Sequence, residues 1–141
     1  MSKSGSIVII EDDIEDKEIL EIVVRDLGYQ NTLRWFRLTR DAWDYMKTTD
    51  ENMFLIFCDV NLPKQSGLEF KKQIDDDPEL RRKSIPFLFF STSSNQNEID
   101  TAYTQMTVQG YFVKGNDFDE IKKLIKIVLE YWSACKHPNT Q

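Results

Sequence analysis

Four clusters of polar residues in this chain each follow directly on an apolar run, and their types belong together chemically. SIVII (6–10) gives way to Glu11, Asp12 and Asp13, and FLIFC (54–58) to Asp59. PFLFF (86–90) is followed by Ser91, Thr92 and Ser93, and GYFV (110–113) by Lys114. One aspartate after a strand means little, because Asp is a common turn residue. Carboxylates, hydroxyls and a lysine at four strand ends are a sharper signal. If the first and third runs are neighbours, Glu11, Asp12 and Asp59 converge, and crowded carboxylates repel one another unless a cation lies between them. Oxygen-only donors suit Mg²⁺, which keeps several waters and favours sites that a phosphate completes. Lys114 would offer that phosphate a point charge and Ser91 a hydroxyl donor. Lys114 could equally be a plain salt-bridge partner of Asp59.

The elements that must position these groups alternate along the chain. SIVII reads as a strand covered on both faces. Ile14, Ile19, Leu20, Ile22, Val23, Val24 and Leu27 follow at helical spacing, with Gly28 to end the helix. TLRWF (32–36) is a weaker strand, and Thr39 is expected to N-cap a helix carrying Ala42, Trp43, Tyr45 and Met46. FLIFC is the third strand, after which Ser66 opens a helix bearing Leu68, Phe70 and Ile74. PFLFF begins the fourth strand on a proline, where a missing donor matters least. Ile99, Ala102, Tyr103 and Met106 mark a fourth helix, and GYFV a fifth strand. Phe118, Ile121, Leu124, Ile125, Val128, Leu129 and Trp132 make a last helical stripe, with Asp117 and Glu120 placed as a capping box. Five strand–helix units with short connections predict an α/β fold, a parallel sheet covered on both faces. Ligands of such sheets bind beyond the carboxyl ends of the strands, where the polar clusters fall.

The totals narrow the function classes. The 141 residues are expected to form one domain, 1–141, with no output domain. A net charge of −6 excludes the basic footprint of a nucleic-acid binder. Arg81, Arg82 and Lys83 follow the acidic run Asp75, Asp76 and Asp77, and together these read as the solvated end of a helix and its loop rather than a binding patch. No apolar run reaches the ~20 residues of a membrane span, and the N-terminus lacks a signal-peptide core. Two cysteines, Cys58 and Cys135, form no metal or disulfide framework. Cys58 is expected to be buried and inert, His137 to be solvated, and the compartment to be a reducing cytoplasm. No glycine-rich phosphate loop follows any strand.

The stretches IVIIEDD (7–13), FCDVNLPKQSGLE (57–69), PFLFFSTSS (86–94) and GYFVKG (110–115) together resemble the receiver domain of bacterial response regulators, the CheY-like superfamily. DIEDKEIL, STSSNQNEID and EYW are similar to single-domain receivers of the phytochrome-associated kind. The resemblance implies a flavodoxin-like (βα)5 three-layer sandwich with strand order 2-1-3-4-5. It implies that Asp59 is the phosphoacceptor, charged by a sensor histidine kinase or phosphotransfer protein. Glu11, Asp12, Asp59 and the backbone carbonyl of Asn61 would hold Mg²⁺, Lys114 would contact the phosphoryl oxygens, and Ser91 and Tyr111 would be the switch pair. The output would be a rearrangement of the fourth helix, fifth strand and fifth helix, read by a downstream protein, and a homodimer fits the same face. Such a domain is a phosphoacceptor that slowly dephosphorylates itself, rather than an enzyme in the usual sense. The alternative is a receiver-shaped binding module that phosphate does not switch. An aspartyl-nucleophile phosphatase would want a second acid where Asn61 stands.

Three departures from the family pattern carry expectations. Gly115 stands where proline usually follows the lysine, so a trans Lys114–Gly115 peptide and a pliant loop are expected. Thr92 is bulkier than the small residue common there and should narrow phosphate access. Ser91 replaces the commoner threonine and keeps the hydroxyl.

Overall fold

Short runs of Val, Ile, Leu and Phe become strands because branched and aromatic side chains pack well on a pleated surface covered from both sides. The computed structural model describes residues 2–138. After a 3₁₀ turn (Ser2–Ser4) the elements are β1 (Ser6–Ile10), α1 (Ile14–Asp26), β2 (Leu33–Phe36), α2 (Thr39–Thr48), β3 (Met53–Cys58) and α3 (Gly67–Asp76). Then come α4 (Pro78–Lys83), β4 (Phe87–Ser91), α5 (Gln96–Gln105), β5 (Gly110–Val113) and α6 (Phe118–Ala134). All four strand pairings are parallel and the order is β2-β1-β3-β4-β5. This is the flavodoxin-like three-layer arrangement expected.

Alternate residues of each strand serve opposite faces. Val8, Ile10, Ile56, Phe87 and Phe89 pack with Ala42 and Met46 of α2, Phe70 and Ile74 of α3, Leu80 of α4 and Ala102 of α5. Ile7, Ile9, Leu55, Phe57, Leu88 and Phe90 pack with Leu20, Val23 and Val24 of α1 and Ile121, Ile125, Val128 and Leu129 of α6. Full burial of each Val, Leu, Ile, Phe or Met among them stabilises the fold by roughly 1.5–3 kcal/mol relative to exposure. Cys58 is buried within the first of these layers, as expected.

Several element ends differ from the sequence reading. Thr39 is the first helical residue of α2, not its cap; it is buried and its hydroxyl donates to Gln65 Oε1 at 2.6 Å. A hydroxyl turned into a side-chain bond cannot also cap its own helix. Ser66 caps α3 in a full reciprocal box with Glu69. Asp117 caps α6 through the Asp119 amide, but Glu120 does not complete a box; its carboxylate lies over Gly115. Arg81, Arg82 and Lys83 do stand at a helix end, but of a separate short helix, α4: they form its last turn, where cations are favoured. Pro78 begins that helix, Asp77 caps it, and Lys83 Nζ donates to Met46 O at 3.1 Å.

The largest departure is His137. Rather than solvated, it is 2% exposed, its Nε2 at hydrogen-bonding distance from Phe54 O and its ring against Phe54 and Trp132. Among the described residues no helix is long and apolar enough to cross a membrane.

Candidate functional site

Glu11, Asp59 and Lys114 each stand one step beyond a strand, Asp12 follows Glu11, and Ser91 is the last residue of β4. Ladder hydrogen bonds hold the first three backbones in place. The Glu11 amide donates to Phe36 O at 3.0 Å, that of Asp59 to Ile10 O at 3.0 Å, and that of Lys114 to Ser91 O at 2.8 Å. The sheet order therefore brings Glu11, Asp12, Asp59, Ser91 and Lys114 to one edge although the chain separates them.

Glu11, Asp12 and Asp59 each offer a carboxylate oxygen, and these oxygens lie within 4.8 Å of one another. Oxygens on opposite sides of a Mg²⁺ ion are about 4 Å apart, so the trio is spaced close to what a hard divalent cation's ligands need. Asp13 takes a different part: it caps α1, accepting from the amides of Glu15 and Asp16. Asn61 is exposed, and its amide donates to Asp59 Oδ1 at 3.2 Å.

Lys114 reaches across from β5 with a side chain only 4% exposed. Its Nζ lies 2.6 Å from Glu11 Oε1, 3.2 Å from Asp16 Oδ2 and 3.7 Å from Asp59 Oδ2. The pairing of Lys114 with Asp59, one of the two readings of these residues, is thus present but is the longest of three. Burial would lower the Lys114 pKa, yet Glu11, Asp59 and Asp16 together raise it above its ordinary value, so the ammonium stays charged. Burial lifts Glu11 to about 7 against the pull of Lys114, with the charge of Asp59 adding to the rise. One lysine does not neutralise this cluster, and that is the electrostatic condition under which a further cation binds well.

Ser91 is fully buried at the end of β4, and its Oγ accepts from the Ser93 amide at 3.2 Å. Tyr111 turns inward: its ring packs on Phe89, with centroids 5.8 Å apart, and its hydroxyl donates to Ser93 O at 3.0 Å. Burial pushes the Tyr111 phenol above its ordinary pKa against the hydrogen bonds of Ser93 and Ser91, while the charges of Glu98 and Asp59 push it further up. Ser93 also donates to Glu98 on α5, so the loop after β4 is tied at once to Ser91, Tyr111 and α5. Thr92 is exposed beside Ser91. Lys114–Gly115 is trans, as are all peptide bonds among the described residues.

Three contributors escaped the sequence reading. The Trp35 indole donates to Glu11 O at 2.7 Å, bracing the first carboxylate from β2. Gly67 abuts Asp59 so closely that a Cβ there would lie 2.1 Å from the Asp59 carbonyl oxygen. Asp16 touches Lys114 from the first turn of α1. Gly67 had a signal in the Ser-Gly that opens α3; the other two had none.

Comparison with known proteins places this geometry. Residues 7–126 match the family described as response regulator receiver domain. The probable methanogenesis regulatory protein FilR2 of Methanothrix harundinacea is 26% identical over 130 residues, 89% of this chain and 82% of that protein. The response regulator Rcp1 of Synechocystis is 25% identical over 131 residues, 89% of this chain and 87% of its own length. The crystal structure of the phosphorylated cyanobacterial phytochrome response regulator RcpA superimposes with a TM-score of 0.85 at 26% identity, over 95% of this chain and 98% of that one.

Proposed function

Because this chain belongs to the response regulator receiver domain family, we propose that Asp59 accepts a phosphoryl group from a phosphohistidine of a sensor kinase or phosphotransfer protein and that a change of shape carries the signal to a protein partner. Receivers are signalling proteins rather than classical enzymes. The observation that carries the reading is the convergence of Glu11, Asp12 and Asp59 beside the buried ammonium of Lys114.

A carboxylate oxygen of Asp59 attacks phosphorus while the P–N bond to imidazole breaks, the electron pair leaving with the histidine nitrogen. Asp59 is already an anion, so the step needs no general base, and no histidine stands among the site residues. Catalysis of such a transfer is positioning and charge neutralisation. Glu11, Asp12, Asp59 and the carbonyl of Asn61 would hold Mg²⁺, which would neutralise the phosphoryl oxygens. Lys114, whose Nζ lies 3.7 Å from Asp59 Oδ2, supplies further positive charge. Water attack on the resulting acyl phosphate returns the carboxylate, which makes the chain its own slow phosphatase.

The switch begins at Ser91. Its hydroxyl accepts from the Ser93 amide in this structure, and turning to donate to a phosphoryl oxygen would break that bond. Ser93 holds Tyr111 through its carbonyl and α5 through Glu98, so its release loosens both. The phosphoryl group thereby biases an existing equilibrium of α5, β5 and α6 rather than driving a new fold. Ile127 and Tyr131, one turn apart on α6, are exposed apolar side chains that a downstream protein or a second copy could cover.

The test is intact mass after incubation with a small acyl phosphate, with and without Mg²⁺. The proposal expects a Mg²⁺-dependent gain of one phosphoryl group that Asp59→Asn abolishes. No gain under either condition overturns it in favour of a receiver-shaped binding module that phosphate does not switch.

A further inference from the structure

The geometry points to Asp16 as a positioning residue for Lys114, the carboxylate that keeps the ammonium in place when Glu11 and Asp59 turn to a divalent cation. The inference rests on the reading of Asp59 as phosphoacceptor. Of the three carboxylates around Lys114 Nζ, Glu11 at 2.6 Å and Asp59 at 3.7 Å belong to the cation trio, whereas Asp16 at 3.2 Å does not. A cation that draws an oxygen from Glu11 and from Asp59 competes with Lys114 for both. The lysine side chain is 4% exposed, and a buried ammonium stripped of its partners would be costly and free to swing away.

Asp16 removes that difficulty because its position is set independently of the cation. It is the third residue of α1, and its amide is held by the capping side chain of Asp13 at 3.1 Å. Its own side chain is 35% exposed, so its charge costs little desolvation while it anchors a buried one. With one donor of Lys114 on Asp16, the others remain aimed at the oxygens of a phosphoryl group on Asp59.

Phosphoryl uptake from a small acyl phosphate at saturating Mg²⁺ tests this for wild type, Asp16→Asn and Asp16→Glu. Beryllium fluoride affinity, which needs no turnover, is measured for the same proteins and in a Lys114→Met background, after circular dichroism has shown each to be folded. A mispositioned donor is expected to slow uptake by about tenfold, short of the roughly 10²–10³ lost when such a donor is removed outright. Beryllium fluoride binding should weaken by a similar factor, Asp16→Glu should recover most of both, and Asp16→Asn should add nothing once Lys114 is Met. Uptake by Asp16→Asn equal to or faster than wild type overturns the inference, as does a loss that persists without Lys114. Failure of wild type to take up phosphoryl at all defeats the phosphoacceptor reading, and this inference with it.

Discussion

At the residue scale, the site depends on how closely neighbours approach Asp59. Gly67 begins α3 with its amide on Val60 O at 2.8 Å, and a Cβ would meet the Asp59 carbonyl oxygen at 2.1 Å. Backbone cannot yield there as a flexible side chain can. Gly67→Ala is therefore expected to destabilise by about 1–3 kcal/mol in urea unfolding and to slow phosphoryl uptake by displacing Asp59. A variant with wild-type stability and uptake would contradict the close approach. Residue types at strand ends made Glu11, Asp12, Asp59, Ser91 and Lys114 legible in the sequence. Trp35 and Asp16 were not legible, because their partners depend on which strands and helices are neighbours. Trp35 meets Glu11 only because β2 lies beside β1, with Trp35 opposite Ile9. Asp16 looks like any acidic residue of a first helical turn.

At the element scale, the end of α3 is fastened to the segment before β5 by a buried pair. Lys71 Nζ donates to Asp75 Oδ1 at 2.8 Å and to Thr107 Oγ1 at 3.2 Å, and the Thr107 amide donates to Asp75 Oδ2 at 2.8 Å. The Lys71 side chain is 5% exposed, and burial lowers its pKa. Burial would raise the Asp75 carboxyl, but the bonds from Lys71 and Thr107 outweigh it and hold it below its ordinary 3.8. Asp75→Asn should cost about 3 kcal/mol by leaving Lys71 buried without a counter-charge, read from chemical denaturation. A group whose folded pKa lies below its unfolded one stabilises above the unfolded value and loses that stabilisation as the pH falls through the folded one. The same variant should therefore flatten the acid limb of Tm against pH below 3.8; an unchanged limb would assign acid sensitivity elsewhere. Five strands and the principal helices were legible because hydrophobic period and turn residues agreed. The short α4 was not: Asp77-Pro78 is both a helix start and a turn signal, and the basic triplet read with Asp75, Asp76 and Asp77 as the end of one helix and its loop rather than as a helix of its own. Thr39 misled for a related reason, since capping propensity says nothing of a partner such as Gln65 brought by tertiary contact.

At the scale of the whole molecule, the sheet order turns residues far apart in sequence into one site, and the strand pattern alone did not fix that order; it came from the likeness to receivers. The described residues after α6, 135–138, are also part of the fold. His137 seals the Phe54 end of β3, opposite the Asp59 end, its ring tilted against Phe54 and edge-on to Trp132. A single histidine near a tail carries no periodic signal, so its burial could not be read in advance. His137→Ala should lower stability by about 1–3 kcal/mol, through a lost buried hydrogen bond and ring contacts, while leaving phosphoryl uptake at the far edge intact. Loss of uptake at full stability would contradict that separation. The central claim is that Asp59 itself forms the bond to phosphorus. Borohydride reduction of the phosphorylated chain, followed by peptide mass spectrometry, tests it most directly, since an aspartyl phosphate is converted to homoserine. Homoserine is expected at position 59 alone, and only when Mg²⁺ was present during phosphorylation; an unaltered Asp59, or homoserine at another position in its place, would overturn the assignment of Asp59.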